Sequence, residues 1–74
     1  MRLYTAKWCD PCKEVKAHLL KNPVEGLEVL DIDDVPEGVL ALGIKKVPTL
    51  VADGTMYVGR ENIYPFLEAL NNDS

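Results

Sequence analysis

An apolar segment, Leu3-Tyr4-Thr5-Ala6, runs through Trp8-Cys9-Asp10-Pro11-Cys12-Lys13 into an amphipathic stretch that stops at Asn22-Pro23. Pro11 does most to constrain the fold. Its ring fixes φ and its nitrogen donates no hydrogen bond, so within a helix it is tolerated in the first turn and little further on. The chain is therefore expected to start as a strand, Met1 to Thr5, and to enter a helix from Pro11 to about Lys21. On that helix Cys12, Val15 and Leu19 share one face, while Lys13, Glu14, Ala17 and Lys21 point largely away, as in a helix lying on a sheet.

The only two cysteines, Cys9 and Cys12, thus fall at a strand-to-helix junction. At a helix N-terminus the free backbone N–H groups and the positive end of the dipole favour a thiolate. Cys9 is expected to attack a disulfide and Cys12 to resolve the resulting mixed disulfide. The same C-x-x-C spacing suits half of a zinc site, but a closed site takes four ligands and His18 is the only further soft candidate, so metal would require a dimer.

With 74 residues, 47% of them hydrophobic, the chain supports one small domain, residues 1–74. A disulfide closing so short a loop restricts the unfolded chain little, which favours chemistry over stapling. Eight basic residues scattered among twelve acidic ones give a net charge of −4 with no basic stripe, so no nucleic acid partner is expected. No apolar run approaches a membrane span, and Leu3 to Ala6 is too brief for a signal-peptide core. A cytoplasmic protein with no membrane partner is expected, and in a reducing compartment a cycling disulfide is favoured over a persistent one. Asn72-Asp73-Ser74 fits a glycosylation acceptor pattern but reads as a polar tail.

Further along, Leu27 to Ile32 predicts a second strand, parallel to the first across the helical crossover. Asp34 and Glu37 have capping-box spacing, predicting a short helix that runs to Leu42 and stops at Gly43. Thr49-Leu50-Val51 and Thr55 to Val58, joined through Asp53-Gly54, read as a hairpin. Ile63, Phe66, Leu67 and Leu70 recur at helical spacing after Gly59. The order βαβαββα implies an α/β domain with a mixed four-stranded sheet flanked by helices.

Two segments together carry a resemblance. Besides Trp8-Cys9-Asp10-Pro11-Cys12-Lys13, the run Gly43-Ile44-Lys45-Lys46-Val47-Pro48-Thr49-Leu50 resembles the second signature of thioredoxins, in which a residue precedes a cis-proline at the start of the third strand. The chain looks like a minimal, glutaredoxin-sized member of the thioredoxin/glutaredoxin superfamily. That resemblance implies a thioredoxin-like fold over essentially the whole length, with Cys9 as nucleophile, Cys12 as resolving thiol and Pro48 as the cis-proline beside them. Only roughly 5–6% of X-Pro bonds in folded proteins are cis, which makes the geometry of Pro48 an informative expectation. Val47 would offer backbone groups to an extended substrate, Thr49 would adjoin it, and Gly59 matches a thioredoxin glycine near the substrate surface as well as a strand-to-helix turn.

The chain is also a hybrid. Leu3 stands where thioredoxins usually carry a buried aspartate, so Cys12 must exchange its proton with water or another group. Gly59-Arg60-Glu61-Asn62 stands where glutaredoxins usually bring a paired-glycine and acidic motif to hold glutathione. The combination is similar to the small glutaredoxin-like electron donors of ribonucleotide reductase, which draw electrons from thioredoxin reductase.

Around the cysteines, Trp8 is expected as a partly exposed platform. Asp10 disfavours a neighbouring thiolate, or is simply a solvated turn residue, whereas Lys7 and Lys13 favour the thiolate. His18, at the edge of the helix face, reads as a boundary residue. The resemblance then implies a monomeric thiol–disulfide oxidoreductase with no bound cofactor or metal. It would reduce protein disulfides, those of ribonucleotide reductase being one candidate, with electrons from NADPH through thioredoxin reductase or from glutathione. A binding module in which the dithiol is incidental remains the alternative from another class.

Overall fold

The computed structural model describes residues 1–72, so Asp73 and Ser74 of the polar tail lie outside the described residues. Seven elements follow in order: β1 (Arg2–Thr5), α1 (Asp10–Lys21), β2 (Glu28–Asp31), α2 (Pro36–Leu42), β3 (Thr49–Ala52), β4 (Thr55–Val58) and α3 (Arg60–Asn72). They build an α/β domain around one four-stranded sheet of order β2-β1-β3-β4.

β1 is the hub. It runs parallel to β2, pairing Leu3 with Val29 and Tyr4 with Leu30, and antiparallel to β3, pairing Leu3 with Leu50. The parallel pair is joined through α1, as a crossover requires. β3 and β4 form a hairpin whose two turn residues both have positive φ, 50° at Asp53 and 78° at Gly54. A two-residue loop of that handedness matches the twist of the strands it joins.

Alternation along β1 assigns the layers. Leu3 and its partner Leu50 face α1 and α3, where Val15, Leu19, Ile63 and Leu67 complete the buried core. Tyr57, opposite Leu50, stacks on Phe66 of α3 with ring centroids 4.5 Å apart. Arg2 and Tyr4 face the other way, toward the start of α2 at Val35 to Gly38.

The residues that expected burial on α1 are buried: Cys12, Val15 and Leu19. α2 departs from expectation at its start. Asp34 does not cap it; Val35 occupies the cap position and no side chain bonds the first turn. Asp31 closes the preceding turn instead: its Oδ1 accepts the Asp33 N–H at 2.9 Å and its carbonyl accepts the Asp34 N–H at 3.0 Å, so the helix begins one residue later than the capping-box spacing implies. The other end of α2 follows expectation: Gly43 takes φ 70°, and bonds from Gly43 to Leu40 and from Ile44 to Val39 close a Schellman motif.

Candidate functional site

The site forms where β1 gives way to α1 and the loop before β3 crosses in front of that junction. The Cys9 N–H donates to the Ala6 carbonyl at 3.2 Å, turning the chain, and the Cys9 carbonyl accepts the first helical bond from Lys13 at 3.3 Å. Cys9 is thereby the N-cap of α1, in extended conformation at φ −96° and ψ 112°, and its sulfur accepts the Cys12 N–H at 3.3 Å. A sulfur here takes the place of the serine or aspartate oxygen that ordinarily satisfies a free N–H at a helix start. Pro11 sits in the first turn, where it withholds a donor that would have had no intrahelical partner.

Both cysteines are free thiols, and Cys12 Sγ lies 2.6 Å from Cys9 Sγ. Cys12 is sealed, packed with Cys9 and Ala6 and covered by Ile32 and Val47, whereas Cys9 keeps 5% of its surface. Access therefore ranks the two: a reactant reaches Cys9 first. Burial pushes the Cys12 thiol up from 9.0 to about 12, and both its hydrogen bond with Cys9 and the charge on Cys9 act in the same direction. A backbone hydrogen bond from Ala6 and the positive charge of Lys16 pull the other way. Leu3 is fully buried in the core.

The Val47–Pro48 peptide bond is cis, the geometry expected from the sequence. Cys9 Sγ donates to the Val47 carbonyl at 3.5 Å. Two further bonds hold this loop. Thr49, expected beside a substrate, is buried and donates its hydroxyl to the Lys46 carbonyl at 2.6 Å. Gly59 donates its N–H to the Pro48 carbonyl at 2.8 Å, and its own carbonyl accepts from Asn62 and Ile63 at the start of α3. Both residues position the loop from behind.

Gly59 has φ 84°, a left-handed backbone conformation that favours glycine, and the mobile end of the Glu61 side chain lies over it. Arg60 of the same turn reaches across to an ion pair with Glu14, tying α3 to α1 beside the site.

Trp8 is 70% exposed, and Asp10 pairs with Lys13 at 3.7 Å, with both side chains largely in solvent. Solvent screens such a pair, so its influence on the neighbouring sulfur is weak. His18 is half-buried on the far side of Val15, edge-on to Tyr64 at 5.3 Å between ring centroids. It belongs to the α1–α3 packing rather than to the cysteines.

Sequence reasoning missed the groove that adjoins the sulfurs. Trp8 and Val47 form one side, and Ile32, Val39 and Ile44 with Lys45 and Lys46 complete an open depression of about 370 Å³. The available signal was the placement of Ile44-Lys45-Lys46 directly before Val47-Pro48. Among the described residues no group of three or more His, Cys, Asp or Glu side chains converges as metal ligands do, and no helix is long and apolar enough to cross a membrane.

The sequence matches no known protein family and no curated protein.

Proposed function

We propose that this protein is a thioredoxin-like thiol–disulfide oxidoreductase that reduces protein disulfides through Cys9 and Cys12. One observation carries the reading: two free sulfurs meet at the start of α1, the outer one retaining a little exposure beside the Val47 carbonyl, the inner one sealed. Structural thiols have no need of this asymmetry, whereas a two-step exchange requires it.

In the first step the Cys9 thiolate attacks one sulfur of the substrate disulfide. A Cys9–substrate disulfide forms, the substrate disulfide breaks, and the departing thiolate takes a proton from water. The Cys12 N–H donates to Cys9 Sγ and holds the attacking sulfur at the start of α1. In the second step Cys12, as thiolate, attacks Cys9 Sγ and expels the second substrate thiolate. The protein is left with a Cys9–Cys12 disulfide, two electrons having passed to the substrate.

Timing follows from the causes acting on Cys12. While Cys9 is a free sulfur, its hydrogen bond and its charge help burial to keep Cys12 protonated. Once Cys9 is bonded to substrate its charge is gone, so Cys12 loses its proton more readily at the moment when its attack is useful. Lys16 is the nearby cation favouring that thiolate. Water is the natural proton acceptor, because Leu3 supplies no base.

An external reductant must reopen the disulfide, and NADPH acting through thioredoxin reductase is the reading the site supports over glutathione. The Glu61 carboxylate lies against Gly59 at the start of α3, so the chain's own anion occupies the helix end to which an anionic tripeptide is drawn. A disulfide of ribonucleotide reductase is one candidate client, and a cytoplasmic location fits a dithiol that cycles.

The test is trapping. Cys12→Ser, offered a protein disulfide, is expected to accumulate a mixed disulfide through Cys9, and Cys9→Ser is expected to lose reduction entirely. Failure of Cys12→Ser to trap, with Cys9→Ser still active, would mean that the dithiol is incidental. Parallel assays with thioredoxin reductase and with glutathione plus glutathione reductase then identify the reductant. Faster recycling by glutathione would overturn the assignment of the electron source.

A further inference from the structure

Charge is segregated on the two sides of α2. The groove beside Cys9 has an apolar lining of Trp8, Ile32, Val39, Ile44 and Val47, and its only charged lining residues are Lys45 and Lys46. On the other side of α2 a second depression carries Asp34 and Glu37 with Arg2. Val39 faces the first and Val35 to Gly38 the second, so α2 is the ridge between a cationic groove and a largely acidic one. This arrangement sits on a chain of net charge −4, which repels an acidic partner at long range. At physiological ionic strength screening cuts that repulsion off beyond about 8 Å, and contacts inside the groove then decide the sign.

The lysine rim is held in place. The Lys46 carbonyl is bonded by the buried Thr49 hydroxyl, Ile44 before it is buried, and Pro48 is tied to Gly59. Among the described residues the Val47 N–H, next along, donates to no backbone carbonyl or side chain, leaving it free to pair with an incoming strand. An extended peptide alternates its side chains, so a residue directed into the apolar groove is flanked by residues directed along its rim.

On the reading that Cys9 and Cys12 reduce protein disulfides, we propose that the Lys45–Lys46 groove selects substrates whose reactive cysteine lies in an extended segment with a large apolar residue next to an acidic one. The apolar side chain enters between Trp8, Val39 and Ile44, and the carboxylate meets Lys45 or Lys46 at the rim. Basic segments gain nothing there.

Single-turnover reduction of two synthetic peptide disulfides tests this. Both place a phenylalanine near the cysteine and differ only in carrying aspartates or lysines beside it. Pre-reduced protein is mixed with each, and thiol release is followed at low and at high salt. The acidic peptide is expected to react faster by about three- to tenfold at low salt, the size that two exposed ion pairs support, with the advantage shrinking in high salt. In the double variant Lys45→Gln, Lys46→Gln the preference is expected to fall toward one. Lys21→Gln, which removes a charge at the far end of α1, is expected to retain it.

Equal rates for the two peptides, or a preference untouched by the double variant, would overturn the proposed selectivity while leaving disulfide reduction standing. Failure to reduce either peptide, or a small aromatic disulfide reagent, would remove the functional reading and this proposal with it.

Discussion

α1 and α2 each follow a strand of the same parallel pair, yet they are held by opposite means. α1 spans twelve residues, is capped by the Cys9 sulfur and buries Cys12, Val15 and Leu19. α2 spans seven, has no side-chain cap and buries none of its residues, and its Leu40 is 81% exposed. Burial supplies most of the stability of a helix in a protein, because short helices are marginal in water on propensity alone. α1 is thus fixed against the sheet, which is what a pair of sulfurs at its N-terminus requires. α2 is fixed mainly at its C-terminal end, by Gly43 and Ile44, and serves as a wall between two grooves rather than as a platform for chemistry.

The sharpest test of this contrast removes one leucine from each helix. Leu19→Ala empties a buried position and is expected to cost about 2–5 kcal/mol of unfolding free energy. Leu40→Ala removes a side chain that is already in water and is expected to stay within about 0.5 kcal/mol of the parent. Urea denaturation of both variants measures the difference, and similar losses would mean that α2 packs more firmly than its exposure suggests.

Next in size is the pH dependence that burial of Cys12 creates. The folded, reduced protein holds the Cys12 proton up to about 12, against a reference value of 9.0 for the unfolded chain. Between those values the unfolded state binds fewer protons, so stability falls as pH rises through the interval and is insensitive to this group below it. Reduced Cys12→Ala is expected to show a shallower decline above pH 9 than the parent, and equal slopes would mean that Cys12 does not titrate differently in the two states.

The smallest effect belongs to α2. Gly38 lies inside it with helical backbone and nothing within 4 Å of where a Cβ would stand. Gly38→Ala is therefore expected to stabilise by roughly 0.4–1 kcal/mol, largely by restricting the unfolded chain, and to slow amide exchange across Pro36–Leu42. A loss of stability would show that the ridge needs flexibility at its centre.

Much of this architecture was legible because its signals are local. Pro11 marked the start of α1, Asp53-Gly54 marked the hairpin, and the spacing of Val15 and Leu19 or of Ile63 and Leu67 marked the buried helix faces. The capping box at Asp34 misled because Asp31 closes a turn after β2 that takes in the Asp34 backbone, and Val35 is left at the cap position. Thr49 was legible as part of the cis-proline segment but not as a buried hydroxyl, since the direction it faces depends on how β3 pairs with its neighbours.

Residue order alone was enough to place two cysteines at a helix start, to order the seven elements and to mark the apolar faces of α1 and α3. Short-range sterics and periodicity are sufficient for those. Tertiary packing alone set the approach of the Val47 carbonyl to Cys9 and the groove that Ile32, Val39, Ile44, Lys45 and Lys46 share with Trp8. These facts join residues tens of positions apart, and such distances are set by chain crossing and burial, which no local pattern encodes.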